Sequence, residues 1–191
     1  MKQLLHRFWK DNEGTSSIEF VLIFPVFFGF FLTAYESGIL SSRQVMLEHG
    51  LDVTVRAVRI GVIDQTDEDE LRTAIKESIC ENAGILPDCV TQLEVEMIQR
   101  DPRVVWNPLP TKIQCVDRGN ISAPSTSTVI DAGNNELMFL RACIRIDPFI
   151  PTSNLGKALV AGNNEAAGES YALVATSAFV VEPFRAEDDG T

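Results

Sequence analysis

From Ile18 to Leu40 the chain is apolar almost throughout, with no charge between Glu19 and Glu36. As an α-helix, these roughly 23 residues measure about 34 Å, enough to cross the hydrocarbon core of a bilayer. The preceding segment, 1–14, carries Lys2, Arg7 and Lys10 but no apolar region of its own. Such a segment stays cytoplasmic and is not itself a secretory signal. Glu19 lies just inside the apolar layer, where an unpaired carboxylate is costly and an ionisable residue is by default functional. Its plainer reading is an edge carboxylate near a helix N-terminus, favoured by the dipole and able to snorkel. Pro25 likewise reads either as a proline that a membrane helix tolerates or as a weak point where the helix bends when subunits pack.

Gly14-Thr15-Ser16-Ser17-Ile18-Glu19-Phe20, followed by an aliphatic stretch and Pro25, resembles the prepilin leader and N-terminal helix of type IV pilin-like proteins. More narrowly it is similar to the TadE-type pseudopilins of the tight-adherence (Flp) pilus. The resemblance covers the first third of the chain. It implies cleavage by a prepilin peptidase between Gly14 and Thr15, which makes Glu19 the fifth mature residue. It further implies a role for Glu19 and Pro25 in assembly and a periplasmic domain on a single-pass inner-membrane anchor. The implied partners are the prepilin peptidase, other pilins or pseudopilins, the inner-membrane pilus assembly platform and the lipid bilayer.

The 191 residues leave room for one membrane segment and one modest domain, since roughly 130 residues remain beyond the helix. The formal net charge of −11 and the lack of a basic patch argue against nucleic acid as a partner. Cys80, Cys89, Cys115 and Cys143 all follow the apolar run. With a cytoplasmic N-terminus they lie in an oxidising compartment, where an even count suggests two disulfides. Locality favours Cys80 with Cys89, through Gly84 and Pro87, and leaves Cys115 for Cys143. Four buried free thiols are the alternative. A zinc site lacks both Cys-x-x-Cys and histidines, as only His6 and His49 are present.

Beyond Leu40 the helical period continues. Leu47, Leu51, Val55, Val58 and Val62 recur at steps of three and four, with Glu48, Asp52, Arg56 and Arg59 on the other face. This predicts one helix from about 17 to 61, membrane-spanning over 18–40 and amphipathic beyond. Thr66, Asp67 and Asp69 carry capping chemistry ahead of Leu71, Ile75 and Ile79, predicting a second helix over 68–82 that ends at Gly84. The acids 67–70 suit a helix N-terminus better than a metal site. From Val90 the period becomes two, with Leu93, Val95 and Met97 inward and Gln92, Glu94 and Glu96 outward. Short strands are expected at 113–116 and 137–146, a short helix at 155–161 and a strand at 171–181. Segment 122–128 reads as a loop, and Trp106 as a surface contact or a cap over the core. Ala-Gly-Asn-Asn-Glu occurs at 132–136 and again at 161–165, and reads as recurring turn chemistry.

The expected fold is α+β and pilin-like: a long N-terminal helix packed on a small antiparallel sheet with a second helix. Its divisions are a leader at 1–14, the long helix at 15–61, a periplasmic domain at 62–182 and an acidic tail at 183–191. The leading functional reading is a minor pilin or pseudopilin acting in pilus assembly. The alternative is a single-pass membrane protein whose periplasmic binding domain never joins a fibre. No catalytic residues or cofactors are expected. Gly156-Lys157 lacks the spacing of a phosphate loop, and neither histidine suits a hydrolase.

Overall fold

The computed structural model describes residues 15–63, 65–101, 108–111, 113–119, 127–131, 135–161 and 169–181. Gly14 and the leader, Trp106, most of the second Ala-Gly-Asn-Asn-Glu string and the 183–191 tail lie outside the described residues. The architecture is α+β. Helix α1 spans Thr15–Arg59, α2 Glu68–Ala83 and a four-residue turn, α3, Cys89–Gln92. Strands β1 (Leu93–Arg100) and β2 (Leu137–Ile146) follow, then α4 (Asn154–Ala161) and β3 (Tyr171–Val180). The three strands form one antiparallel sheet in the order β1-β2-β3.

Helix α1 has two characters along its 45 residues. The apolar side chains from Ile18 to Phe31, together with Tyr35, are exposed on every side of the helix, whereas Leu47, Leu51, Val55 and Val58 are buried in the core. Val62, expected to extend that stripe, is instead 72% exposed beyond the helix end. The last turn tightens at Gly61, whose amide donates to the Val58 carbonyl with the glycine at φ 74°. A backbone so turned carries Val62 off the buried face.

Helix α2 starts as its sequence dictates. The Asp67 carboxylate accepts from the amides of Asp69 and Glu70 at 2.9 and 3.1 Å, and the helix stops at Gly84 with φ 51°. Glu68 and Asp69 pair with Arg72, so the acidic cluster serves the helix end. Leu71, Ile75 and Ile79 face the core. Helices α1 and α2 approach closely at Gly50, where a β-carbon would lie 2.6 Å from the Ile79 carbonyl oxygen. Beside it, buried Thr54 donates to the Gly50 carbonyl at 2.8 Å and sits 2.9 Å from the Ser78 hydroxyl.

Strand β1 begins at Leu93 and not at Val90. Cys89 is tied to Cys80, and the Asp88 carbonyl accepts from the amides of Thr91 and Gln92, so the chain winds one helical turn before it extends. Leu93, Val95 and Met97 point into the core as expected, but Glu94 and Glu96 are not in solvent: each is only 8% exposed. The second face of the sheet is covered by segment 113–119 with Pro110. Cys115 is joined to Cys143, Arg145 donates to the Val116 carbonyl at 2.9 Å, and Arg141 to that of Pro110 at 3.0 Å. Buried carboxylates need partners. Glu96 faces Arg141 across the ladder at 3.2 Å, and Glu94 meets Lys76 at 3.3 Å and the Ser127 hydroxyl at 2.6 Å.

Segment 113–116 is not a strand. It crosses the sheet face and is held by the disulfide and arginine side chains in place of ladder hydrogen bonds. At the open edge of β1, residues 127–130 run alongside: the Met97 amide donates to Thr128 and its carbonyl accepts from Ile130. That pairing covers an edge otherwise free to pair with another chain. Burial lowers the Arg145 guanidinium from its ordinary range, the neighbouring Arg118 charge adds to this, and Asp117 opposes it. Arg145 stays charged near neutrality all the same.

Candidate functional site

Of the residues to which the resemblance assigns processing and assembly, Thr15, Glu19 and Pro25 lie in the first turns of α1. Gly14 lies outside the described residues, and Thr15 opens the helix. Glu19 and Pro25 are both exposed, and the helix runs unbroken through Pro25. Phe20, Phe24 and Phe28 stack in series along one side, with successive ring centroids 5.1 and 5.6 Å apart. Among the described residues this is the single helix long and apolar enough to cross a membrane. The cysteines lie elsewhere. Cys80–Cys89 staples α2 to α3 and Cys115–Cys143 pins the covering segment to β2, so both pairings favoured by locality are present. Among the described residues no three His, Cys, Asp or Glu side chains gather as a metal site.

One buried, partnered side chain is not marked as such by the sequence. Glu36 marks the end of the charge-free run, yet it is 3% exposed and belongs to the folded domain. One of its carboxylate oxygens accepts the Ile150 amide at 3.3 Å, and the other accepts the Ser153 hydroxyl. Ser153 in turn caps α4, its oxygen accepting the Gly156 amide at 2.8 Å. The helix N-terminus thus faces a carboxylate, the charge its dipole favours. Gly156 leaves room for this arrangement, because a β-carbon there would lie 2.5 Å from the Ile150 carbonyl oxygen and 3.2 Å from the Glu36 carboxylate.

The loop between β2 and α4 is held at its other end too. Arg43 donates to the Asp147 carbonyl at 3.2 Å and to the Tyr171 hydroxyl at 2.9 Å, and Arg118 pairs with the Asp147 carboxylate. Tyr35 meets Phe149 edge to face, with ring centroids 5.5 Å apart. The folded domain therefore seats on α1 from Tyr35 and Glu36 onward, a turn before the Leu40 boundary drawn from hydropathy. The surviving sequence signal was Glu36 itself, an acid flanked by apolar residues, with Ser153-Asn154-Leu155-Gly156 as its capping partner.

No family model, curated protein or solved structure matches the chain. Above the junction, a groove of about 530 Å³ runs between α1, α4 and β3, bordered by Leu40, Gln44, Val45, Leu159, Tyr171 and Leu173. Its walls are mainly apolar, with the Gln44 amide bonded to Glu48 and to the Val174 carbonyl.

Proposed function

We propose that the chain is a minor pilin or pseudopilin of the TadE type, acting in assembly of a tight-adherence pilus. In this reading α1 anchors it in the bacterial inner membrane with the N-terminus cytoplasmic, and a prepilin peptidase cuts between Gly14 and Thr15. Its partners are other pilins and the inner-membrane assembly platform, and it has no catalytic task.

One observation carries the reading. A single unbroken helix is apolar and exposed in its first half and forms the core of a disulfide-bonded α+β domain in its second. Such a helix gives one surface to lipid or to neighbouring helices and another to its own domain. The residues at its base, Gly14-Thr15 and Glu19, fit the processing motif. The alternative, a single-pass protein whose outer domain binds a ligand without joining a fibre, draws on the apolar groove beside α1, whose volume is that of a small-molecule site. The intact mass of protein extracted from its native membranes separates the two. A chain starting at Thr15 is expected; one starting at Met1, or after Leu40, removes the pilin reading and favours the alternative.

A further inference from the structure

We propose that the loop at 147–153 rests in the interfacial layer of the lipid bilayer, so that the underside of the folded domain is a second membrane contact beside the helix. The inference rests on the membrane reading of α1 given above.

Position is the first argument. The exposed apolar surface of α1 runs from Ile18 to Tyr35, roughly 18 residues and about 27 Å, close to the thickness of a bilayer's hydrocarbon core. Tyr35 therefore falls where that core meets the headgroups. Phe149 is packed edge-on against Tyr35, and the Glu36 carboxylate holds Ile150 and Ser153. The loop cannot be much higher or lower than the helix residues that bind it.

Chemistry is the second. Pro148-Phe149-Ile150-Pro151-Thr152-Ser153 carries no charge, and Phe149 is 56% exposed although apolar. Tyr35, an apolar ring with a hydroxyl tip, is of the kind that collects at this depth, and Phe149 packed on it offers an exposed apolar ring to the same layer. The chain as a whole is acidic, at net charge −11, yet the acids next to the loop are engaged: Asp147 with Arg118, and Glu36 with the loop itself. Arg43, two turns above Glu36, and Lys157 in the first turn of α4 put cations beside it, as an anionic headgroup layer favours. A protein partner on the same surface would have to displace lipid at that depth, whereas the bilayer is already continuous with the apolar helix.

The test uses the full chain in vesicles of phosphatidylglycerol and phosphatidylethanolamine, with Trp9 and Trp106 replaced by Phe. A single tryptophan is then introduced by Phe149→Trp, Phe28→Trp or Val62→Trp. Emission is compared in vesicles whose acyl chains carry bromine near the carbonyls or deep in the chains. Phe28→Trp, in mid-span, reports whether α1 is inserted, and is expected to be quenched most by deep bromine. Phe149→Trp should be blue-shifted and quenched most by shallow bromine, while Val62→Trp, beyond the far end of α1, should be quenched by neither. Quenching at Phe28 with none at Phe149 overturns the inference and leaves the membrane reading standing. Equal quenching at Phe149 and Val62 overturns it as unspecific adsorption. No quenching at Phe28 overturns both.

Discussion

Replacing Glu36 by Ala removes the acceptor of two hydrogen bonds, those from the Ile150 amide and the Ser153 hydroxyl. Bonds to a charged acceptor contribute about 1.5 to 3 kcal/mol each, and a donor left buried without its acceptor bears an uncompensated desolvation penalty as well. The Ile150 contact is long at 3.3 Å and Ser153 is only partly buried, so the pair together stabilises the seating by about 2 to 4 kcal/mol. That is a large share of the 5 to 15 kcal/mol typical of a whole domain, but it acts on one loop, so local opening is where it registers. Hydrogen exchange of the detergent-solubilised protein, resolved to peptides covering 147–157, is the assay. Glu36→Ala should speed exchange there by about 30-fold or more and leave β1 and β2 unchanged. Glu36→Gln keeps an acceptor for Ile150 and should cost about 1 kcal/mol. If Glu36 were only the first charge after a lipid span, Glu36→Leu would lengthen the apolar segment without loosening anything. Unchanged exchange at 147–157 in both the Ala and the Leu variants refutes the reasoning.

Gly50→Ala forces a β-carbon against the Ile79 carbonyl and should lower stability by about 1 to 3 kcal/mol, seen as a lower thermal midpoint. From loop-closure entropy, removing Cys115–Cys143, with a sequence separation of 28, should cost about 3.6 kcal/mol, and removing Cys80–Cys89, with a separation of 9, about 2.7 kcal/mol. Denaturant midpoints of the paired Cys→Ser variants check that order, and its reversal removes the entropic account. Glu19→Leu should leave insertion and the folded domain intact, because Glu19 is exposed on the apolar half of α1; on the proposed pilin role it should reduce crosslinks to partner pilins and piliation. Unchanged crosslinks and piliation with normal processing would make Glu19 a snorkelling edge carboxylate.

Elements with a strong period or a local cap were legible in the sequence. Asp67 and Gly84 delimit α2 within a residue of expectation, and β2 spans the ten residues foreseen. Locality sufficed for the disulfides, because Cys80 and Cys89 share one turn of chain. Two misses were local, the turn at Gly61 that takes Val62 off the stripe and the helical turn after Asp88 that delays β1, and the others depended on contacts between distant segments. Glu94 and Glu96 alternate as a solvent face should, but Lys76 and Ser127 reach Glu94, Arg141 meets Glu96, and segment 113–119 is pinned over β2 beside them from a stretch with no period of its own. Glu36 was misplaced for the same reason, since its partners lie more than a hundred residues away. Hydropathy sees an acid at the end of an apolar run; it does not see a loop returning to bind it.

Because α1 is one helix above Pro25 and the loop clamps it at Glu36, nothing between the apolar half and the folded domain can swivel. The compass bearing of the domain is therefore set by counting. One residue inserted between Phe31 and Tyr35 would rotate everything above it by about 100° relative to the apolar half and raise it by about 1.5 Å. Any neighbour that grips the lower half in a fixed orientation dictates, to within that geometry, which side of the domain faces outward.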